Sequence, residues 1–242
     1  AKRFASQIEA ASGAPAGIVR EVAEDEWMDD VLPGDMVLCR CAAPVVKAAY
    51  GLIRKRIPAV VKGRDIGKGL VDTAEGVSRL PGFRWDAFAS HASAWQGQEA
   101  AKILAANGDD AEDPALEALA DRVEAAILIA AEGVGTGPVA SLDGFKEAAA
   151  ALFSDDPDRR AVVLSTAHRA KGLENPRVFI LAPNLMPSPR ARTEEERVQE
   201  RNLQYVAVTR AKSELNIIGQ CGWKEWTGEE EEEGEGEGEV VA

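Results

Sequence analysis

Apolar and polar residues alternate at 18–22 (Ile18-Val19-Arg20-Glu21-Val22), after a Gly13-Ala14-Pro15 turn, and this period of two predicts a strand. Residues 25–32 predict a short helix and Pro33-Gly34-Asp35 a turn. Residues 36–39 form an apolar run of strand length. The spacing changes over 43–55, where Val46, Ala49, Tyr50 and Ile53 share one helical face; Pro58 ends that helix and 59–62 predict the next strand. Strand, helix and strand in about thirty residues make a βαβ unit, the building block of parallel sheets.

From about residue 70 to 152 the pattern is helical and rich in alanine, with helices predicted at 85–106, 114–132 and 142–153. Leu116, Leu119, Val123, Ala126 and Ile127 keep a helical stripe, and the joints at 107–110 and 133–138 read as loops. Strand character returns at 161–166 and 177–181, after a polar turn at 155–158. A charged amphipathic helix is predicted at 193–207 and a last strand at 214–219. The expected organisation is a parallel α/β layer split by a helical insertion: residues 1–69, an insertion at 70–155, a second part at 156–227, and a tail at 228–242 whose composition predicts disorder.

Composition changes this picture little. Length (242 residues) and 45% hydrophobic content exclude wholesale disorder. The net charge of −13 would argue against a polyanionic partner, but eight carboxylates lie within 229–239, and without them the charge is −5. Charge therefore does not decide the nucleic-acid question. Three cysteines, Cys39, Cys41 and Cys221, cannot make a disulfide framework and fit a reducing, cytoplasmic setting. His91 and His168 stand far from them in sequence, so no metal-ligand spacing is present. Apolar runs such as 125–131 are too short to span a membrane, so no membrane partner is expected. A start at Ala1 rather than Met is read as a fragment or a processed product.

The candidate chemistry lies in two segments. In Thr166-Ala167-His168-Arg169-Ala170-Lys171-Gly172-Leu173-Glu174, Thr166 and His168 stand where a predicted strand ends, the edge at which open α/β sheets bind ligands. A hydroxyl and an imidazole there can bond phosphate oxygens or stack on a base. Lys171-Gly172 offers a cation beside a residue that allows close backbone approach, and Glu174 a carboxylate for a ribose hydroxyl. In Glu200-Arg201-Asn202-Leu203-Gln204-Tyr205-Val206-Ala207-Val208-Thr209-Arg210-Ala211-Lys212, Arg210 offers a guanidinium suited to charge on a transferring phosphoryl group. Taken singly, each is more often structural: a satisfied strand-end histidine or a solvated helix arginine. Cys39 and Cys41 read as small buried residues on one strand face. Arg40 is open between a nucleotide cleft and a sheet-end salt bridge; Trp85 and Trp95 read as helical core, and Trp223 and Trp226 as closing the domain.

The two segments, in this order and spacing, closely resemble motifs V and VI of UvrD/Rep-type superfamily 1 DNA helicases. Val37-Leu38-Cys39-Arg40, the helix after it and Gly63-Arg64-Asp65 look like the first βαβ of the same domain, so the resemblance spans nearly all of residues 15–220. It implies the second RecA-like domain of an ATP-dependent DNA helicase. Thr166, His168 and Lys171 would meet single-stranded DNA; Gly172, Glu174 and Arg210 would meet the nucleotide, with Arg210 the catalytic arginine finger. No G-x-x-x-x-G-K-[ST] loop is present: Gly67-Lys68 has Lys62 and Gly69 where Gly and Ser/Thr belong. Asp25-Glu26 lacks the apolar strand that precedes a magnesium-binding pair. ATP with Mg²⁺ would thus be held mainly by an N-terminal P-loop RecA-like domain, in cis or in trans, and this chain alone is expected to be inactive. A stand-alone nucleic-acid or protein binding module that kept the fold without ATPase activity is the other class left open.

Overall fold

The computed structural model describes residues 17–107, 113–135, 137–155 and 160–219. The turn at 13–15, the joint at 108–110, most of the 155–158 turn, Cys221, Trp223, Trp226 and the acidic tail lie outside these residues.

Six strands, β1 (Ile18–Val22), β2 (Met36–Cys39), β3 (Ala59–Val61), β4 (Val162–Thr166), β5 (Asn175–Ile180) and β6 (Ala211–Ile218), form one sheet in the order β1-β6-β5-β2-β4-β3. Every pairing is parallel. All strands therefore end at one edge of the sheet and start at the other. The helices are α1 (Trp27–Asp30), α2 (Ala42–Arg54), α3 (Arg64–Ser78), α4 (Phe88–Asn107), α5 (Pro114–Glu132), α6 (Leu142–Leu152) and α7 (Glu194–Val208). This is the α/β class that the alternation predicts. β2 and β4 are buried along almost their whole length, as strands covered on both faces must be.

The two faces are covered differently. On one, Val37, Cys39, Leu164 and Phe179 join a large core with α2, α3, α5 and α6, through Leu70, Val123, Ile129 and Phe145. Helices α3, α5 and α6 thus share a continuous core with the sheet. On the other, Met36, Leu38, Val178, Ile180, Leu215 and Ile217 pack on Leu203, Ala207 and Val208 of α7 and on Ala167 and Ala170 of the β4–β5 loop.

Helix α3 lies only partly within the region read as helical from residue 70: Gly67, Gly69 and Gly76 lower its propensity, although Ile66, Leu70, Ala74 and Val77 keep one apolar face. A Cβ at Gly67 would stand 3.1 Å from the Phe153 ring, and one at Gly76 2.9 Å from Trp95 Nε1. These glycines give up helix propensity, about 1 kcal/mol each, to let aromatic rings close on the helix. Trp85 stacks on Phe88 at 5.4 Å, and both Trp85 and Trp95 pack against the core, the role the pattern assigns them. Cys41 departs from expectation. The strand ends at Cys39, and Cys41 is the partly exposed residue before the first turn of α2, so the two thiols share no strand face. Burial pushes the Cys39 thiol up to about 12 and raises Cys41 as well, so both stay protonated at neutral pH.

Candidate nucleic-acid and nucleotide surfaces

β4 delivers Thr166 to the edge where the strands end. Its carbonyl accepts from Arg169 N (3.0 Å) and Ala170 N (3.0 Å), which turns the chain sharply out of the sheet. The first residue of that turn, Ala167, is tied to the neighbouring strand through N–H to Cys39 O at 2.7 Å. Thr166 is 8% exposed and lines a cleft of about 250 Å³ together with Arg40, His168, Leu70, Asp121 and Arg122. His168 is solvent-accessible there. Desolvation and then Arg40 hold its pKa below the ordinary value, against the pull of Glu200 in the other direction.

Arg40 follows β2 at the same edge and ties three elements together. Its Nε donates to Glu200 Oε2 and its Nη2 to Glu200 Oε1, both at 3.0 Å, a bidentate pair with α7. Nη1 donates to Glu117 Oε1 of α5 at 3.1 Å. Ser188 N closes the network on Glu200 Oε2 at 2.8 Å. Burial opposes the charge on Arg40, but Glu200 and Glu117 outweigh it and raise the guanidinium above its ordinary value. Of the two readings open for Arg40, the sheet-end salt bridge is the one observed. Alongside it, Asp121 of α5 accepts from Ala42 N and Ala43 N, both at 2.8 Å. A residue of α5 thus caps α2 and fills an N-terminus that would otherwise attract an anion.

The loop 167–174 then crosses the α7 face of the sheet, burying Ala167 and Ala170, and arrives at the opposite edge. Lys171 and Gly172 are exposed along it, and Gly172 has φ +84 with open space around its Cα, so backbone conformation alone calls for glycine here. Glu174, just before β5, pairs with Lys212 Nζ at 3.0 Å, both side chains more than half exposed. Arg210, just before β6, is bound more fully. Its Nε donates to Val206 O (2.8 Å), Nη1 to Leu173 O (2.9 Å) and Nη2 to Thr209 Oγ1 (2.9 Å). The guanidinium staples the end of the loop to the C-terminus of α7, where a cation is also favoured by the helix dipole. Three of its five N–H groups are used, and one remains on each Nη.

The sequence-identified residues therefore fall into two groups. Thr166 and His168 lie where the strands end; Glu174 and Arg210 lie where β5 and β6 begin. Across a strand of five residues these edges are on the order of 15 Å apart. The buried Glu200, its partly exposed companion Glu117, the cap Asp121 and the cleft residue Arg122 are additions made by the structure. Glu200 stands within the second segment, but nothing in its local pattern points to an arginine 160 positions earlier. Among the described residues no group of three His, Cys, Asp or Glu side chains could hold a metal ion, and no helix is long and apolar enough to cross a membrane.

Residues 137–220, which contain both segments and the strands β4, β5 and β6, match the UvrD-like helicase C-terminal domain family. That part of the chain is thus similar to a UvrD-like helicase C-terminal domain, and the parallel sheet it belongs to is consistent with a RecA-like α/β fold. Among its relatives are DNA helicase II of Haemophilus influenzae, 47% identical over 64 residues, and the ATP-dependent DNA helicase PcrA of Bacillus subtilis, 48% identical over 60 residues. These matches cover 25% and 24% of this chain and only 9% and 8% of the relatives, so the chain spans about a tenth of the proteins it resembles.

Proposed function

We propose that this chain is the second RecA-like half of an ATP-dependent DNA helicase, with residues 70–155 as its helical insertion, and that it works against a P-loop domain in cis or in trans. What supports the reading is the division of the motif residues between the two edges of one sheet, joined by the loop 167–174 and by α7. A motor that couples two ligands needs two surfaces and a stiff connection between them. Thr166, His168 and Lys171 contact single-stranded DNA at and beyond the edge where β4 ends. Gly172, Glu174 and Arg210 flank the nucleotide at the other edge.

The residues at that second edge fit one side of a nucleotide. Glu174 is exposed and held only by a surface lysine, so its carboxylate is free to exchange Lys212 for a sugar hydroxyl. Arg210 has two N–H groups left and is already oriented by three carbonyl and hydroxyl acceptors. That orientation removes rotamer entropy before ATP arrives, as a transition-state contact requires. ATP supplies the phosphoryl group together with its Mg²⁺, which the P-loop domain mainly binds. Arg210 donates to the oxygens on which charge accumulates as the γ-phosphoryl group moves to water. Lacking a P-loop, the chain hydrolyses no ATP at a useful rate alone.

The test combines the chain with a P-loop RecA-like domain of the same family and measures ATP hydrolysis. Arg210→Ala is expected to lower kcat about 10³-fold. A variant within about threefold of wild type would end the finger assignment. If no such domain gives hydrolysis above its own rate, while the chain still binds single-stranded DNA, the binding-module reading replaces this one.

A further inference from the structure

The motif residues leave one basic surface unused. It is a groove of about 350 Å³ between α3 and α6, lined by Arg64, Lys68 and Lys146, with Gly67, Ala149 and Ala150 among the residues between them. No carboxylate lines it. In a chain with 41 acidic and 28 basic residues, that is a local reversal of charge. Arg64 and Lys68 are four residues apart, so they stand on one face of α3, and both are exposed. Neither is ion-paired among the described residues. Lys146 differs: its Nζ is 3.0 Å from Glu75 Oε1, and no ligand is assigned to it.

One contact connects this groove to the edge where β4 ends. Arg169 of the loop pairs with Asp65 in the first turn of α3, which brings the loop and the helix start together and neutralises the carboxylate between them. Lys171 lies two residues further along the loop, exposed and without an ion-pair partner among the described residues. Gly63 N and Arg64 N at the start of α3 donate to Asp155 Oδ1 at 3.1 and 3.4 Å, which withholds these two amides from an anion and sets a carboxylate beside them. A phosphate arriving here must be bound by side chains. Ala150, small and exposed on α6, leaves room for an extended chain over the groove.

We infer that single-stranded DNA leaving Thr166 and His168 continues over the first turns of α3 into the α3–α6 groove, with Arg64 and Lys68 contacting its phosphates. The insertion side of the molecule then lengthens the DNA track. This rests on the DNA-binding reading of Thr166 and His168 given above.

The experiment measures binding of the full chain to labelled oligothymidylates of about 6 and about 20 nucleotides, across a salt series. The double variant Arg64→Ala/Lys68→Ala is expected to bind the longer oligomer about tenfold more weakly. Its log–log salt slope should fall by about 1.4, the release expected for two phosphates on a single strand. The shorter oligomer should be unaffected, and Arg64→Lys/Lys68→Arg should restore the slope. An unchanged slope and affinity for the double variant, with His168→Ala weakening both oligomers, overturns the inference and leaves the functional reading standing. Absence of single-stranded DNA binding by the wild-type chain overturns both.

Discussion

The two edges of the sheet carry charge in different ways. Where the strands end, Arg40 is shared between Glu200 and Glu117, and Asp121 caps α2; these groups are mostly sheltered and fully bonded. Where the strands begin, Glu174 and Lys212 form an exposed pair, and Arg210 is held by backbone carbonyls and a hydroxyl with donors to spare. The Arg40 network at the first edge is satisfied within this chain, and Thr166 and His168 line the cleft there, while the second edge offers charged groups that a further ligand can engage without breaking a buried pair. Sheltered networks stand at both edges, since Arg177 also joins Asp35 (2.9 Å) and Glu214 (3.5 Å) where β2 and β5 begin, but the exposed Glu174–Lys212 pair and the spare donors of Arg210 belong to the second.

The comparison predicts that damage at the first edge is read in stability. Arg40→Ala leaves Glu200, 8% exposed, without its bidentate partner, and also releases Glu117. A loss of about 3 kcal/mol is expected, with the network only partly solvated. Denaturant unfolding checks it; a loss under about 0.5 kcal/mol would place Arg40 among ordinary surface pairs.

Asp121→Ala comes next. It removes both acceptors at the start of α2, where Cys41 provides no side-chain cap, and should cost about 1 kcal/mol by the same measurement. Asp121→Asn, which keeps one acceptor, should recover part of that.

The smallest effect concerns pH. The His168 pKa is lowered in the folded chain, chiefly by desolvation and then by Arg40, so the unfolded chain takes up the proton first. Its contribution to stability is present above the ordinary histidine value of about 6.5 and is lost as pH falls below it. Unfolding midpoints between about pH 7.5 and 5.5 should decline less steeply for His168→Asn than for the wild type. Equal slopes would mean that another group carries the acid sensitivity.

Much of this architecture is legible in the sequence because the strands are short and cleanly bounded. β1 and β2 coincide with the alternation at 18–22 and the apolar run at 36–39, each closed by turn residues. The capping box of α7, Thr193 with Glu196, marks a helix that the charged stripe already predicts. α3 is only partly legible because its glycines serve contacts with Phe153 and Trp95 that are distant in sequence. Thr166, His168, Glu174 and Arg210 are legible through their two segments, but their separation onto opposite edges is not. It follows from the loop 167–174 crossing the sheet, and only the strand order makes that visible. The partners of Arg40 are 77 and 160 residues away, and no local pattern encodes such pairs.

The division of labour between the edges is tested most directly by titrating single-stranded DNA into the ATPase reaction of this chain with a P-loop domain, comparing His168→Ala with Arg210→Ala. The account predicts that His168→Ala raises the DNA concentration needed for half-maximal stimulation. It predicts that Arg210→Ala lowers the maximal rate about 10³-fold and leaves that concentration within about twofold of wild type. A His168 variant with unchanged DNA dependence, or an Arg210 variant whose main defect is in DNA dependence, would contradict it.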